Sequence, residues 1–235
     1  IREMTSPEGV FYSAQDADTD GEEGQTFVWK KREIEEILGS DSEIFCIYFD
    51  VTDGGNFEGR TILANNIKTS AIAFKFGKTE DEVNKIISQG SIKLLETRNK
   101  RTQPGKDDKA LTAWNGLMIS AFIKGYRISG KTKYLDTALA ATDFYQEQFR
   151  KHGVLQRVFK DGKSKLNAYL DDYAYLVNAI VDVFETTGKA DYLNFAAELS
   201  DYLIDHFWDD KSGNFFFTAD DHEKLIIRPK SNYDL

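Results

Sequence analysis

Hydrophobic residues recur three or four positions apart through most of the chain, which is the spacing of one face of a helix. Thr79 and Glu82 form the sequence pattern of a capping box. There are only three prolines to interrupt a helix. The stretch 44–51 suits a strand by its β-branched and aromatic content, but its Phe spacing favours a short helix. The other predicted helices are 30–38, 80–97, 111–128 ended by Gly130, 132–150, a stretch through Leu176 that ends at Gly188, and 193–207.

The chain also contains an internal repeat. Residues 121–149 match residues 179–207 when displaced by 58 positions, the distance from Gly130 to Gly188. Each copy is a helical hairpin with one apolar face, which is buried only when copies stack on one another. Short ribbons of glycine and aromatic residues accompany the hairpins, and we expect them to cluster at one end: 9–12, 55–57, 153–155 and 213–217. This organisation predicts an all-α fold, an α/α toroid or an α-solenoid with short β-ribbons between the hairpins.

Composition and charge narrow the possible partners. Lys and Arg total 30 against 39 Asp and Glu, a net charge of −9 that argues against nucleic acid and anionic membranes. The sequence has no apolar run of the ~20 residues that a membrane span needs. Cys46 is the only cysteine, which fits a reducing, cytoplasmic setting, and three histidines are too few for a rich metal site. The motifs of nucleotide, redox, serine-hydrolase and zincin sites are absent from the sequence, so we expect no metal and no cofactor.

An acidic run at 16–23 begins like a calcium loop, with Asp16 and Asp18 at its first and third positions. The twelfth position is Phe27, so the bidentate acid of an EF-hand is missing. One interpretation is a solvated acidic turn that leads into the helix at 30–38. The other is a group of carboxylates that faces a sugar or a cation in a cleft, with Trp29 in the core or in the wall of a pocket.

Two pairs of adjacent carboxylates stand where apolar helices begin. Asp107-Asp108 precedes Trp114-Asn115, and in the second repeat copy Asp171-Asp172 precedes Tyr173. The simpler interpretation is helix capping, since carboxylates are favourable at helix N-termini. The alternative is a carbohydrate site, because aromatic rings stack on sugar C–H groups while Asp and Asn bond hydroxyl groups. If the hairpins stack in register, both acidic ends open onto one hollow.

Five strings, in order along nearly the whole chain, resemble the spermatogenesis-associated, thioredoxin-like protein family: GVFYSAQDAD at 9–18, GNFEG at 55–59, KRTQP at 100–104, DDKALTAWNGLM at 107–118 and DDYA at 171–174. The resemblance implies a toroid of six helical hairpins, of the class shared by N-acylglucosamine 2-epimerases and six-hairpin glycosidases. It also implies that residues 1–235 are a single domain, the central part of that toroid. The family's N-terminal thioredoxin-like domain and C-terminal hairpins then lie outside this chain, and no redox activity is carried over to it.

The leading hypothesis is a carbohydrate-active domain with glycoside-hydrolase-like acid/base chemistry. The related epimerases use histidine pairs, which these motifs lack, whereas the related hydrolases use Asp and Glu. The candidate acids and bases are Asp107, Asp108, Asp171 and Asp172. The candidate substrate-binding residues are Arg101, Lys109, Trp114, Asn115, Tyr173, Trp29, Asp16 and Asp18.

Two alternatives stay open: a non-catalytic scaffold that binds a peptide or protein, and a sugar epimerase or isomerase. A partial toroid also leaves apolar faces uncovered, so we expect this stretch to self-associate or to need further chain.

Overall fold

The computed structural model describes residues 1, 3–65, 67–222 and 225–230. A short 3-10 helix spans Gly39–Asp41. In chain order the other elements are β1 Ala14–Gln15, β2 Asp18–Thr19, β3 Glu22–Glu23, α1 Lys31–Leu38, α2 Ser42–Tyr48, α3 Thr69–Phe76, α4 Glu80–Arg98, β4 Lys106–Asp107, β5 Ala110–Leu111, α5 Thr112–Ser129, α6 Thr132–His152, β6 Gln156–Lys160, β7 Lys163–Asn167, α7 Leu170–Thr187, α8 Ala190–Phe207, β8 Trp208–Asp209 and β9 Asn214–Phe215.

The chain forms two compact units. The small unit is Gln15–Gly105 and the large unit is Ile1–Ala14 with Lys106–Leu235. The interpretation of 1–235 as one domain, the middle of a toroid, stays a prediction. The all-α fold class with short β-ribbons is confirmed, since helices dominate both units and the strands are two to five residues long.

In the small unit, α1 to α4 pack around two groups of buried apolar side chains. The predicted helices at 30–38, 44–51 and 80–97 are confirmed as α1, α2 and α4, with small shifts at their ends. The capping box is confirmed as well: the Glu82 backbone N–H donates to Thr79 Oγ1 at 3.2 Å, and the Thr79 N–H donates to the Glu82 carboxylate at 2.8 Å. Helix α3 was not predicted.

In the large unit, α5 with α6 and α7 with α8 form the two predicted hairpins, and α5 packs along α7. Gly130 and Gly188 end α5 and α7 in the left-handed conformation, each at φ +67°. Gly116 lets α5 and α7 approach closely, because a Cβ there would lie 2.7 Å from the Tyr175 backbone carbon. One continuous apolar core fills the space between the four helices.

The start of α5 differs from the prediction. Ala110 and Leu111 pair with Phe159 and Val158 of β6, and β6 pairs in turn with β7. This pairing keeps 110–111 extended, so α5 begins at Thr112. Asp107, the last residue of β4, and Asp108 therefore lie ahead of β5, and their interpretation as caps of this helix is wrong.

The ribbons of the large unit gather where α5 and α7 begin. Phe11 exchanges backbone hydrogen bonds with the Asn115 side chain on α5. The Leu170 N–H, at the start of α7, donates to the Phe217 carbonyl. Together with β5–β6–β7, these contacts place the ribbons of the large unit at the same end of its hairpins, whereas the predicted ribbon at 55–57 belongs to the small unit.

Candidate functional site

Asp172 joins the beginnings of α5 and α7. Its Oδ1 accepts the Ala113 N–H of α5 at 2.9 Å, and its Oδ2 accepts the Tyr169 N–H of α7 at 2.9 Å. Arg157 Nη1 donates to Oδ2 at 2.8 Å. The two helices therefore begin at the same end of the large unit. Asp172 of α7 accepts an N-terminal N–H of α5, a hydrogen bond that the Leu111 side chain at the N-cap of α5 does not make.

Asp172 is 0% exposed and both of its oxygens are occupied by these donors. Burial, followed by the charge of Asp171, raises its pKa to about 6, against the opposing effect of the Tyr169 and Ala113 N–H groups and of Arg157. A carboxyl group with a pKa near 6 has the proton affinity of a general acid. It is completely buried in this chain, where its carboxylate joins the two helix beginnings, and its role as a catalytic acid stays a prediction.

The other three predicted catalytic carboxylates are each held by a cation. Asp107 pairs with Lys109 at 2.6 Å, Asp108 with Lys160 at 2.5 Å, and Asp171 with Arg157 at 3.2 Å. The three carboxylate side chains are partly exposed. Hydrogen bonds from Lys109 and Lys160 hold the pKa of Asp107 and of Asp108, respectively, below the usual value, so both are ionised at neutral pH.

The cations that hold the two acidic pairs come from different faces of β6. Arg157, which holds Asp171 and Asp172, and Lys160, which holds Asp108, are three residues apart on β6. Side chains three positions apart leave a strand on opposite faces. The helix beginnings thus share one end, and the cations that hold the two acidic pairs leave β6 on opposite faces; the shared hollow stays a prediction.

Tyr173 and Asn115 are buried, contrary to the expectation that they contact a substrate. Tyr173 is 0% exposed, and its hydroxyl accepts the Leu155 N–H at 3.2 Å. Asn115 is 1% exposed, and its amide bonds the backbone of Phe11 and the Leu111 carbonyl. Both side chains satisfy buried backbone groups, which is the usual reason for a polar atom in a core.

Trp114, in contrast, is 50% exposed near the beginning of α5. Tyr175, near the beginning of the adjacent α7, is 44% exposed. Tyr175 is not among the site residues predicted from the sequence. The 58-residue repeat offers a signal, because it aligns Tyr175 with Leu117. Both side chains are about half exposed in the structure.

Arg101 and Trp29 lie together in the small unit. The Arg101 guanidinium stacks over the Trp29 ring at 3.9 Å, donates to the Thr26 and Val28 carbonyls, and pairs with Glu33 at 2.5 Å. Trp29 is 3% exposed, which agrees with its interpretation as a core residue.

Beside this pair the small unit has a polar cavity of about 280 Å³. Its lining includes the side chains of Asp20, Gln25, Lys30 and Arg60 as well as Arg101.

Asp16 and Asp18 form an exposed turn, in agreement with the first interpretation of the acidic run. Asp16 Oδ1 accepts the Asp18 N–H at 3.1 Å. Asp18 then enters the hairpin of β2 and β3. Neither carboxylate lines the polar cavity, whereas Asp20 of the same run does.

Cys46 is a free, buried thiol whose pKa is raised by burial. Among the described residues, every helix is too short or too polar to cross a membrane.

Much of this chain is similar in sequence to known proteins. A family model described as D-glucuronyl C5-epimerase C-terminus matches residues 111–181, from the end of β5 into α7. Spermatogenesis-associated protein 20 of Homo sapiens is 26% identical over 99% of this chain. An uncharacterized protein of Caenorhabditis elegans is 29% identical over 94% of it.

The chain spans 34% of the length of each of these two relatives. Among solved structures, cellobiose 2-epimerase of Bacillus thermoamylovorans is similar at 11% identity and a TM-score of 0.45, covering 91% of this chain and 54% of its own. The resemblance to the spermatogenesis-associated family, first seen in five short strings, is confirmed along nearly the whole of this chain.

Proposed function

We propose that the large unit binds a carbohydrate on the exposed face of α5 and α7. The observation that carries this proposal is the pair of half-exposed aromatic rings, Trp114 and Tyr175, near the beginnings of two packed helices. Aromatic faces stack on the C–H groups of sugar rings, and such rings are otherwise favoured in the core.

Polar partners for hydroxyl groups lie at the same end of the helices. Asp171 and Arg157 form an ion pair there whose side chains are 30% and 27% exposed. A carboxylate accepts from sugar hydroxyls and a guanidinium donates to them. The match of residues 111–181 to a family model named for a sugar epimerase supports a carbohydrate ligand for this part of the chain.

The proposal is limited to binding because hydrolysis makes a further demand. A glycosidase needs a protonated carboxyl group that reaches the glycosidic oxygen and a second carboxylate across the substrate. Asp172, with its raised pKa, is enclosed by Ala113, Tyr169 and Arg157. Asp107 and Asp108 have lowered pKa values and serve as bases or hydrogen-bond acceptors only. Sugar hydrolysis and epimerisation are thus outcomes to be assayed.

The test is isothermal titration of the chain with mono- and oligosaccharides, both neutral and uronic-acid-containing. We expect a ligand whose affinity falls about tenfold in Trp114→Ala and in Tyr175→Ala, since loss of one stacked ring removes about 1 kcal/mol or more. Trp208→Ala is the matched control, because Trp208 is also exposed, at 40%, but follows α8. Incubation with the bound sugar, analysed for reducing ends and for epimers, tests the two reactions.

Absence of heat with every sugar would overturn the proposal. Equal losses of affinity in Trp208→Ala and Trp114→Ala would also overturn it. A peptide- or protein-binding surface would then be favoured, because Leu117 and Met118, 50% and 40% exposed, extend the apolar part of the same face of α5.

A further inference from the structure

His206, Asp220 and Asp221 come together at the end of α8. His206 is the second-last residue of that helix, and the two aspartates lie on the loop that follows β9. One ligand atom from each residue can be chosen so that all three lie within 4.8 Å of one another. We propose that these three residues bind a divalent transition-metal ion, with Zn²⁺ as the preferred ion.

The loop is fixed against the helix by its backbone. The Asp220 N–H donates to the His206 carbonyl at 3.0 Å. Arg228 Nη2 donates to the same carbonyl at 2.9 Å and to the Thr218 carbonyl at 2.6 Å. These bonds hold the aspartates beside the imidazole without a metal ion, so little ordering remains for binding to accomplish.

A second layer of contacts orients the ligands. Tyr202, one helical turn before His206, donates its hydroxyl to Asp221 Oδ2 at 2.7 Å. Its ring lies 4.3 Å from the His206 ring, between centroids. The proposed ligands also contact each other, since His206 Nδ1 lies 2.7 Å from Asp220 Oδ1. Hydrogen bonds of this kind, made by a neighbour to a ligand carboxylate, fix ligand orientation in protein metal sites.

The charges at this place differ from those at the beginnings of α5 and α7. There, each carboxylate pairs with a lysine or an arginine. Among the described residues, the ion pair of Asp220 is with His206, and Asp221 has no described lysine or arginine as a partner. Arg228 is occupied with carbonyl groups, and Lys230 pairs with Asp209. No described lysine or arginine therefore neutralises the two adjacent carboxylates, which favours the binding of a cation.

The mixture of donors decides the kind of ion. Imidazole nitrogen suits Zn²⁺ and neighbouring first-row metals, whereas Mg²⁺ and Ca²⁺ favour sites made of oxygen alone. One nitrogen and two carboxylate oxygens with an open position fit Zn²⁺. The repeat supplies an internal comparison: 58 positions before His206 stands Gln148, which bonds Ser164 and is no strong metal ligand.

The experiment is isothermal titration of the untagged, chelator-treated chain with ZnCl₂, repeated with MnCl₂, CaCl₂ and MgCl₂. We expect one Zn²⁺ per chain, with an affinity at least about tenfold above that for Ca²⁺ or Mg²⁺. His206→Ala and Asp221→Asn should abolish binding. Tyr202→Phe, which removes the hydroxyl that bonds Asp221 and keeps the ring beside His206, should weaken binding by about tenfold.

His152→Ala and Asp205→Asn are the matched controls, an exposed histidine at the end of the other hairpin and an exposed aspartate beside His206. Both should bind Zn²⁺ as the parent chain does. Absence of Zn²⁺ binding, binding that survives Asp221→Asn, or equal affinity for Ca²⁺ would each overturn the proposal. Asp221 is exposed, so its variant is expected to fold even if His206→Ala does not.

Discussion

Replacing Asp172 with alanine removes the group that holds the beginnings of α5 and α7 together. The substitution leaves the Ala113 and Tyr169 N–H groups without their acceptor, and Arg157 keeps only Asp171 at 3.2 Å. A hydrogen bond to a charged group contributes about 1.5–3 kcal/mol, and breaking a buried ion pair costs about 3–5 kcal/mol. Because Arg157 retains one partner, we expect a loss of about 3–5 kcal/mol in total and not the sum of all three contacts.

Urea unfolding followed by circular dichroism measures the loss for the chain. Hydrogen exchange at the Ala113 amide, followed by NMR, isolates the effect at α5. Asp171→Ala is the matched control, since that neighbouring carboxylate is partly exposed and its ion pair should contribute about 1 kcal/mol or less. A loss in Asp172→Ala no larger than in Asp171→Ala, or unchanged exchange at Ala113, would refute the assignment of Asp172 as the shared cap.

Three further outcomes follow from the same contacts. The pKa of Asp172 is about 6 in the folded chain against an ordinary 3.8, so its contribution to stability falls as the pH rises from 4 to 6. Asp172→Ala should therefore cost more at pH 4 than at pH 7, by up to about 3 kcal/mol in urea unfolding, and a cost that grew with pH would contradict burial as the dominant cause. Asn115→Ala should lower the free energy of unfolding by about 2–4 kcal/mol in the same assay, because the Phe11 backbone loses its hydrogen-bond partners. The sugar affinity of the folded protein should stay unchanged, and weaker sugar binding would indicate that Asn115 belongs to the binding site. Gly116→Ala should lower the free energy of unfolding by about 1–3 kcal/mol in thermal unfolding, because the added Cβ would lie 2.7 Å from the Tyr175 backbone. Gly125→Ala, whose Cβ would have its nearest contact at 3.5 Å, should be neutral or stabilising by up to about 1 kcal/mol. Equal effects of the two substitutions would contradict the close approach of α5 and α7.

The helices were largely predictable because their signals are local. The Thr79–Glu82 capping box and the glycines that end α5 and α7 act within one helical turn, so the sequence places these boundaries nearly where the structure has them. The repeat predicted both hairpins of the large unit for a similar reason, since its apolar positions and turns recur together. Helix α3, with little periodic contrast in its short apolar sequence, was missed.

The candidate site was less predictable, because the role of a polar side chain depends on residues distant in sequence. From the sequence, Asp107 and Asp108 were interpreted as caps of α5. In the structure, the pairing of β5 with β6 keeps residues 110–111 extended, so α5 begins only at Thr112. Asp172 and Asp171 are adjacent and chemically alike, yet one is fully buried and the other partly exposed.

The sequence by itself determined the helical hairpins, their stacking partners and the end at which their ribbons gather, since apolar periodicity and capping are properties of neighbouring residues. Only the tertiary structure decided which polar groups are free to meet a ligand. Packing buries Asn115, Tyr173 and Asp172 and leaves Trp114 exposed. It also places the His206 ring beside Asp220, which lies 14 residues further along the chain. Exposure and partners are set by the packing of distant segments, and a short stretch of sequence does not encode that packing.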